Sequence, residues 1–370
     1  MKQVALFARL TALCAVTAFA GERWELQYFH DEDDSRLFLS DLAFPSAERG
    51  LAVGSIRSNN RIRAVTLATV DGGRTWSLSD SAEPGLSLFF LNQRLGWMVS
   101  TKGVWRTEDA GVTWKKTAKL KNPFRVHFLD ENRGFAVGAR KALWRTVDGG
   151  RKWERVAAVG EIKASEEYTV FQTIAFANDK DGLVAGFSNP PRHHPLQFPE
   201  WMDPETAERY RQWPGLTILL ETRDGGRTWT SSTTSIFGRI SRVRLSPDGN
   251  GLGLIEFQDA FDWPSEVFHL NWKTGKSDRI LRRKDRVITD IALFPGGPAY
   301  AVAVEPQGSL RRSPVPGKLK VLRSHNLADW EELEVDWRAS ATRAAFTAAG
   351  PDHLWIATDT GMILHLAAGR

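Results

Sequence analysis

The sequence predicts an all-β fold, a seven-bladed β-propeller whose ring is closed by the N- and C-terminal strands in one blade. Three observations carry this expectation. One turn recurs: Thr69-Val70-Asp71-Gly72-Gly73-Arg74-Thr75-Trp76 and its counterparts at 107–114, 146–153 and 222–229 follow the pattern Thr-x-Asp-Gly-Gly-x-Thr-Trp, with Ala110 and Lys152 as departures. The first three aspartates of these turns, Asp71, Asp109 and Asp148, lie 38 and 39 residues apart, a spacing that marks a repeat architecture. Short apolar runs near 41–44, 87–90, 125–128, 172–176, 242–245, 290–294 and 343–346 open seven units.

Ahead of the first unit, residues 1–20 read as a secretory signal peptide. Lys2 and Arg9 precede an apolar stretch at 10–19, and Ala18-Phe19-Ala20 offers a small-x-small cleavage site after Ala20. The stretch is too short to span a bilayer comfortably, and Ala12-Leu13 before Cys14 lacks the small residues expected of a lipidated cysteine. The expected mature chain, 21–370, is therefore exported or periplasmic, with no transmembrane segment after signal removal. Cys14 is the only cysteine, so this mature chain has no disulfide and no thiolate metal site. Removing the signal changes 49 basic against 44 acidic residues, +5, into 47 against 44, +3, too small an excess to argue for nucleic acid.

Each repeat reads as four short antiparallel strands, one propeller blade. In the third unit these are expected at 125–128, 134–138, 142–146 and 153–156. In the turn between the last two, Thr and Asp side chains bond nearby backbone, glycines supply positive φ, and Trp re-enters the sheet as an apolar anchor. This turn is the Asp-box, or bacterial neuraminidase repeat. Units five and six lack it: 271–276 makes the turn in one, and 324–330 is a shortened relic in the other. The seventh unit stops after its third strand at 363–366, and the missing fourth strand is supplied by 24–27. Such closure removes the open sheet edges that invite aggregation.

Propeller geometry places the Asp-box turns, with Asp71, Asp109, Asp148 and Asp224, on one rim as structural features. The loops between second and third strands share the opposite rim with the blade-to-blade loops, and ligands favour that rim and the central channel. Arg57, Arg61, Arg63, Lys102, Arg140, Lys141, Arg192, Arg311 and Arg312 fall in the first kind of loop, and Lys119, Lys121, Arg282, Arg283 and Lys284 in the second. They form either a basic binding face or a solvated rim of scattered charge. Glu256, Asp259, Asp262 and Glu266 interrupt it, as partners of neighbouring arginines or as a separate acidic lip. Arg125, Arg242 and Arg343 begin inner strands, where they hold an anion or a partner's carboxylate at the channel mouth, or pair with Asp41 and Asp290.

The largest departure from the repeat is an insertion at 188–215 in blade four. Asp203 suits a helix N-cap and Pro204 a first turn, so a short helix is expected there. Arg192, Trp201, Tyr210 and Trp213 either cover the channel and contact a partner or pack the insertion onto its blade. His193-His194 is not a metal site, because adjacent side chains diverge and no third ligand is placed by spacing.

Across the mature chain the sequence resembles the photosystem II stability and assembly factor family of Asp-box propellers. The phrases that carry the resemblance are Leu42-Ala43-Phe44, Gly50-Leu51-Ala52-Val53-Gly54, Gly134-Phe135-Ala136-Val137-Gly138 and Trp144-Arg145-Thr146-Val147-Asp148-Gly149-Gly150. The resemblance implies an exported, non-catalytic scaffold that binds a membrane-protein assembly intermediate through an arginine-rich face; separately, the chain is expected to be a monomer without cofactor. Sialidases and other glycoside hydrolases also use Asp-box propellers, which sets the alternative. That chemistry needs an arginine cluster, a Tyr with a Glu partner and an acid/base Asp. Tyr168 beside Glu166 and Glu167, or Asp41 facing Asp290, are the available candidates, and the Phe-Arg-Ile-Pro phrase of similar sialidases is absent.

Overall fold

The computed structural model describes residues 22–59, 61–190, 202–205, 214–257, 263–305 and 315–367. The expected signal peptide lies outside them. The chain opens with β1 (Arg23–Phe29), and five sheets then repeat one plan of four antiparallel strands in chain order. They are β2 (Ser35–Ala43), β3 (Gly50–Ser58), β4 (Arg61–Thr69) and β5 (Ser77–Asp80); β6 (Gly85–Phe90), β7 (Gly96–Ser100), β8 (Gly103–Thr107) and β9 (Lys115–Ala118); and β10 (Pro123–Phe128), β11 (Gly134–Gly138), β12 (Ala142–Thr146) and β13 (Glu154–Arg155). After one helical turn, α1 (Ala158–Glu161), come β14 (Thr169–Phe176), β15 (Gly182–Ser188), β16 (Gly215–Thr222) and β17 (Thr230–Ile236), then β18 (Arg239–Leu245), β19 (Asn250–Glu256), β20 (Ser265–Asn271) and β21 (Lys276–Arg282).

The sixth sheet is composite. It holds β22 (Val287–Leu293), β23 (Ala299–Glu305), β24 (Gly317–Ser324), β25 (Glu331–Val335), the short β26 (Ser340–Ala341), β27 (Ala344–Gly350), β28 (His353–Thr358) and β29 (Met362–Ala367), together with β1. β1 runs antiparallel along β29 from Arg23 opposite Ala367 to Phe29 opposite Met362, but meets β25 only through two parallel pairs. The innermost strands touch in the cyclic order β2, β6, β10, β14, β18, β22, β27 and back to β2.

A phenylalanine and a glycine set the spacing inside a sheet. Phe44, just past β2, and Phe90, Phe128 and Phe176, the last residues of β6, β10 and β14, lie over Gly50, Gly96, Gly134 and Gly182, where an added Cβ would come within 2.3–2.5 Å of the ring. Only glycine permits that approach. Between sheets, aromatic rings stack: Trp97 on Phe128 and Trp355 on Phe44, each with centroids 3.5 Å apart, and Phe135 on Phe176 at 5.5 Å. Trp97 and Trp355 are fully buried, so the core lies in the seams between sheets.

Candidate functional site

The Asp-box turns form one rim, because the N–H groups of Gly72, Ala110, Gly149 and Gly225 donate to carbonyls of the first-to-second-strand loops, at Glu48, Arg94, Asn132 and Lys180. Within a box, the Thr69 hydroxyl donates to Asp71 Oδ1 at 2.8 Å and accepts the Gly73 N–H at 2.9 Å. Asp71 in turn accepts the N–H and hydroxyl of Thr75, at 2.9 and 2.7 Å. Bonds from Thr75 and Thr69 hold the Asp71 carboxyl down at about 2, and those from Thr228 do the same for Asp224. Every box aspartate is thus engaged by its own turn. In the second box Ala110 takes the positive φ, 60°, that glycine supplies elsewhere.

The innermost strands face one another in the cyclic order given above, and a bulge sets which side chains meet there. Register shifts precede Asp41, Ser87, Arg125, Thr173, Arg242 and Asp290, six equivalent positions. Asp41 accepts the N–H of Leu42 at 3.0 Å and, across the seam, that of Leu88 at 2.9 Å. Asp290 repeats this with Ile291 and Phe346, both at 2.9 Å. These carboxylates staple one inner strand to the next. Asp290 also holds Arg242 at 3.3 Å and Arg244 at 3.1 Å. Burial pushes the Asp290 carboxyl up, but Arg244 and Arg242 outweigh it and keep the group below the ordinary range. For Asp41 burial prevails over Arg125 and the two N–H bonds, and the carboxyl is raised.

Arg125 stands in the same field with no carboxylate in ion-pair distance among the described residues. The charge of Arg242 and burial lower it to about 10, so it remains a cation at neutral pH. Beside it, His127 packs between Phe89 and Phe176, centroids 4.9 and 5.1 Å away, and burial drives it to about 4, leaving it neutral. Neither His127 nor Arg244 was expected from the sequence. The alternation Arg242-Val243-Arg244 after the bulge was the available signal for the second, since residues two apart share a side of a strand.

The predicted site residues separate into groups. Arg242 is paired with Asp290, while Arg343 leaves the channel for the mouth, exposed and bonded to Glu256. Lys141 is not a rim charge: it is 8% exposed, and its ammonium donates to the carbonyls of Ile162, at 2.6 Å, and Ala164, at 3.2 Å. The loop after α1 thus absorbs it. Arg140 stays exposed with a φ of 60°. Arg57, Arg61 and Arg63 are all exposed on the β3–β4 hairpin but do not share one face, because Arg57 pairs with Ile62 and Arg63 with Ile56 in the ladder. Arg63 is further tied to Asp80 at 3.0 Å. Glu266 is buried against Arg282 and Arg279 rather than forming a lip. Arg192, Arg311, Arg312, Trp201, Tyr210, Trp213, Asp259 and Asp262 lie outside the described residues. Of the expected insertion helix, Pro204 and Glu205 are helical, and Asp203 caps them by accepting the Glu205 N–H at 3.1 Å. Among the described residues no helix is long and apolar enough to cross a membrane.

Residues 117–191 match the family model described as photosynthesis system II assembly factor YCF48. The chain resembles the photosystem II assembly factors. YCF48 from Cyanidioschyzon merolae superposes with a TM-score of 0.59 at 16% identity, over 93% of this chain and 98% of that one. A structure of YCF48 bound to D1 peptide gives 0.58 at 15%, over 92% and 98%. The β-propeller domain of the Trilobed protease from Pyrococcus furiosus, with an open velcro topology, gives 0.54 at 11%, over 90% and 96%. At such identities these superpositions establish the β-propeller fold. No curated protein matches the sequence. In this assembly-factor-like propeller the matched stretch includes Arg125 and Arg140 but not Arg242, Arg244 or Asp290.

Proposed function

We propose that this chain is an exported, non-catalytic scaffold that binds a segment of a protein partner at the channel mouth and basic rim and assists assembly of a membrane-protein complex. In this reading the ring has seven blades, the composite sheet being two of them, and β1 completes the last. The cyclic contacts of the innermost strands support that count. Cleavage after Ala20 would deliver a monomer to the periplasm or another exported compartment. The observation that carries the binding reading is Arg125, a cation left over once Asp290 has taken Arg242 and Arg244 and Asp41 is engaged by two backbone N–H groups. A guanidinium so placed suits a partner's carboxylate. Exposed Arg57, Arg61 and Arg140 extend the positive surface outward. The same staple geometry argues against hydrolysis, since Asp41 and Asp290 are each held by two backbone N–H groups. Glu166 is likewise engaged, by Arg155 at 3.5 Å.

Crosslinking in the native host tests this. Partner recovery should fall with Arg125→Gln and with R57E/R61E/R140E, and should weaken as salt shortens the screening length. Equal recovery from both variants would refute the reading. Turnover of an aryl glycoside that disappears in Asp41→Asn or Asp290→Asn would favour the hydrolase instead.

A further inference from the structure

The outermost strands of this propeller differ sharply in how they guard their free edges. β5 and β13 are short, β9 carries Lys115 and Lys116, β21 is charged and bulged, and β25 is acidic and meets β1. Such devices prevent edge-to-edge pairing. β17 has none of them. Its seven residues, Thr230-Ser231-Ser232-Thr233-Thr234-Ser235-Ile236, bear no charge and no proline, pair with β16 without a register shift, and have no strand beyond them among the described residues.

Beside this edge the seam between the fourth and fifth sheets is open. Where the Trp97–Phe128, Phe135–Phe176, Tyr300–Phe346 and Trp355–Phe44 seams hold stacked rings, here Leu183 and Leu245 stand, and β21 begins with Lys276 and Ser277 instead of the Trp that an Asp-box delivers. In the boxed sheets that Trp packs on its own phenylalanine, as Trp153 does on Phe128 at 6.0 Å. Its loss leaves a cleft of about 410 Å³ between Leu219, Thr234 and Ile236 on one wall and Ile255, Phe268 and Leu270 on the other. The charge at its end is spent internally, since Arg223 is bound to Asp181 at 3.3 Å and to the Trp272 carbonyl at 2.9 Å.

We propose that the outer edge of β17 is a docking site for one extended, uncharged peptide segment of a protein partner, which adds as a fifth strand and sets apolar side chains at every second position into the cleft. Free backbone groups supply affinity, and the period-two alternation of a strand delivers the side chains. The cleft walls are apolar, and Lys276 at their rim is the one described lining charge without an ion pair, so the inward-facing positions select uncharged, apolar side chains. This site is independent of the basic rim.

The probe is a fluorescein-labelled, C-terminally amidated peptide, Ser-Thr-Val-Thr-Val-Thr-Val-Thr-Ser, titrated against the full chain by anisotropy. Saturable binding is expected, with slowed amide exchange confined to 230–236. S232K/T234K should weaken binding at least about tenfold, because lysine guards an edge and both sites are exposed. R57E/R61E/R140E should leave it unchanged. A peptide N-methylated at alternate amides, tested on the unaltered protein, should not bind. The proposal is overturned by equal binding of the N-methylated peptide, by unchanged exchange at 230–236, or by no saturation up to about 1 mM. A dimer in sedimentation that S232K/T234K abolishes would assign the edge to a second copy of the chain and overturn it as well.

Discussion

Thr146 shows how much of an Asp-box rests on one hydroxyl. The side chain is 2% exposed, donates to Asp148 Oδ1 at 2.9 Å and accepts the Gly150 N–H at 3.0 Å. Thr146→Val keeps the shape and removes both bonds, so urea denaturation should report a loss of about 1–2 kcal/mol. The aspartates add a pH signature. Asp71 and Asp224 sit at about 2 in the folded chain, below the ordinary value of about 4 for an unfolded chain. Their stabilisation is therefore complete above about pH 4 and fades as pH falls through about 2. A plot of melting temperature against pH should show that acid limb, flattened by D71N/D224N. These turns were legible in the sequence because donor and acceptor lie two to four residues apart. Lys141 was not, because the carbonyls that take its ammonium are 21 and 23 residues away.

Strands were legible for a related reason, since the glycine opening β11 and the phenylalanine ending β10 are one packing unit written in the sequence. What the repeat did not reveal was the bulge shared by six of the innermost strands, a one-residue shift that decides which side chain faces inward. Arg343 remains at the mouth for a different reason: β27 starts only at Ala344 and its register shift comes later, between Ala348 and Gly350. The seams are also unequal. Trp97, fully buried, stacks on Phe128 and donates its indole N–H to the Gly149 carbonyl of the next sheet at 3.1 Å. Trp97→Ala should cost about 3–5 kcal/mol by cavity formation. Leu183→Ala, at the open seam, should cost less, because Leu183 already borders the cleft. Comparing the two unfolding midpoints checks that ranking.

The composite sheet brings strands from both ends of the described chain together. β1 contributes Trp24, fully buried, 6.1 Å from Phe346 in an edge-on contact, and its carbonyl accepts the Asp336 N–H at 2.9 Å. It thereby touches both halves of the composite sheet. If β1 closes the ring, Trp24→Ala destabilises the molecule as one unit. Loss of so large a buried side chain costs about 3–5 kcal/mol, and a single cooperative transition should move by that amount. Hydrogen exchange separates this from a merely appended strand. With closure, amides in β22–β25 and β27–β29 lose protection together with those of β1, since opening the last blade also frees the Trp355–Phe44 stack at the seam with β2. Faster exchange restricted to 23–29, with the midpoint unmoved, would instead mean that the propeller holds its shape without its first strand.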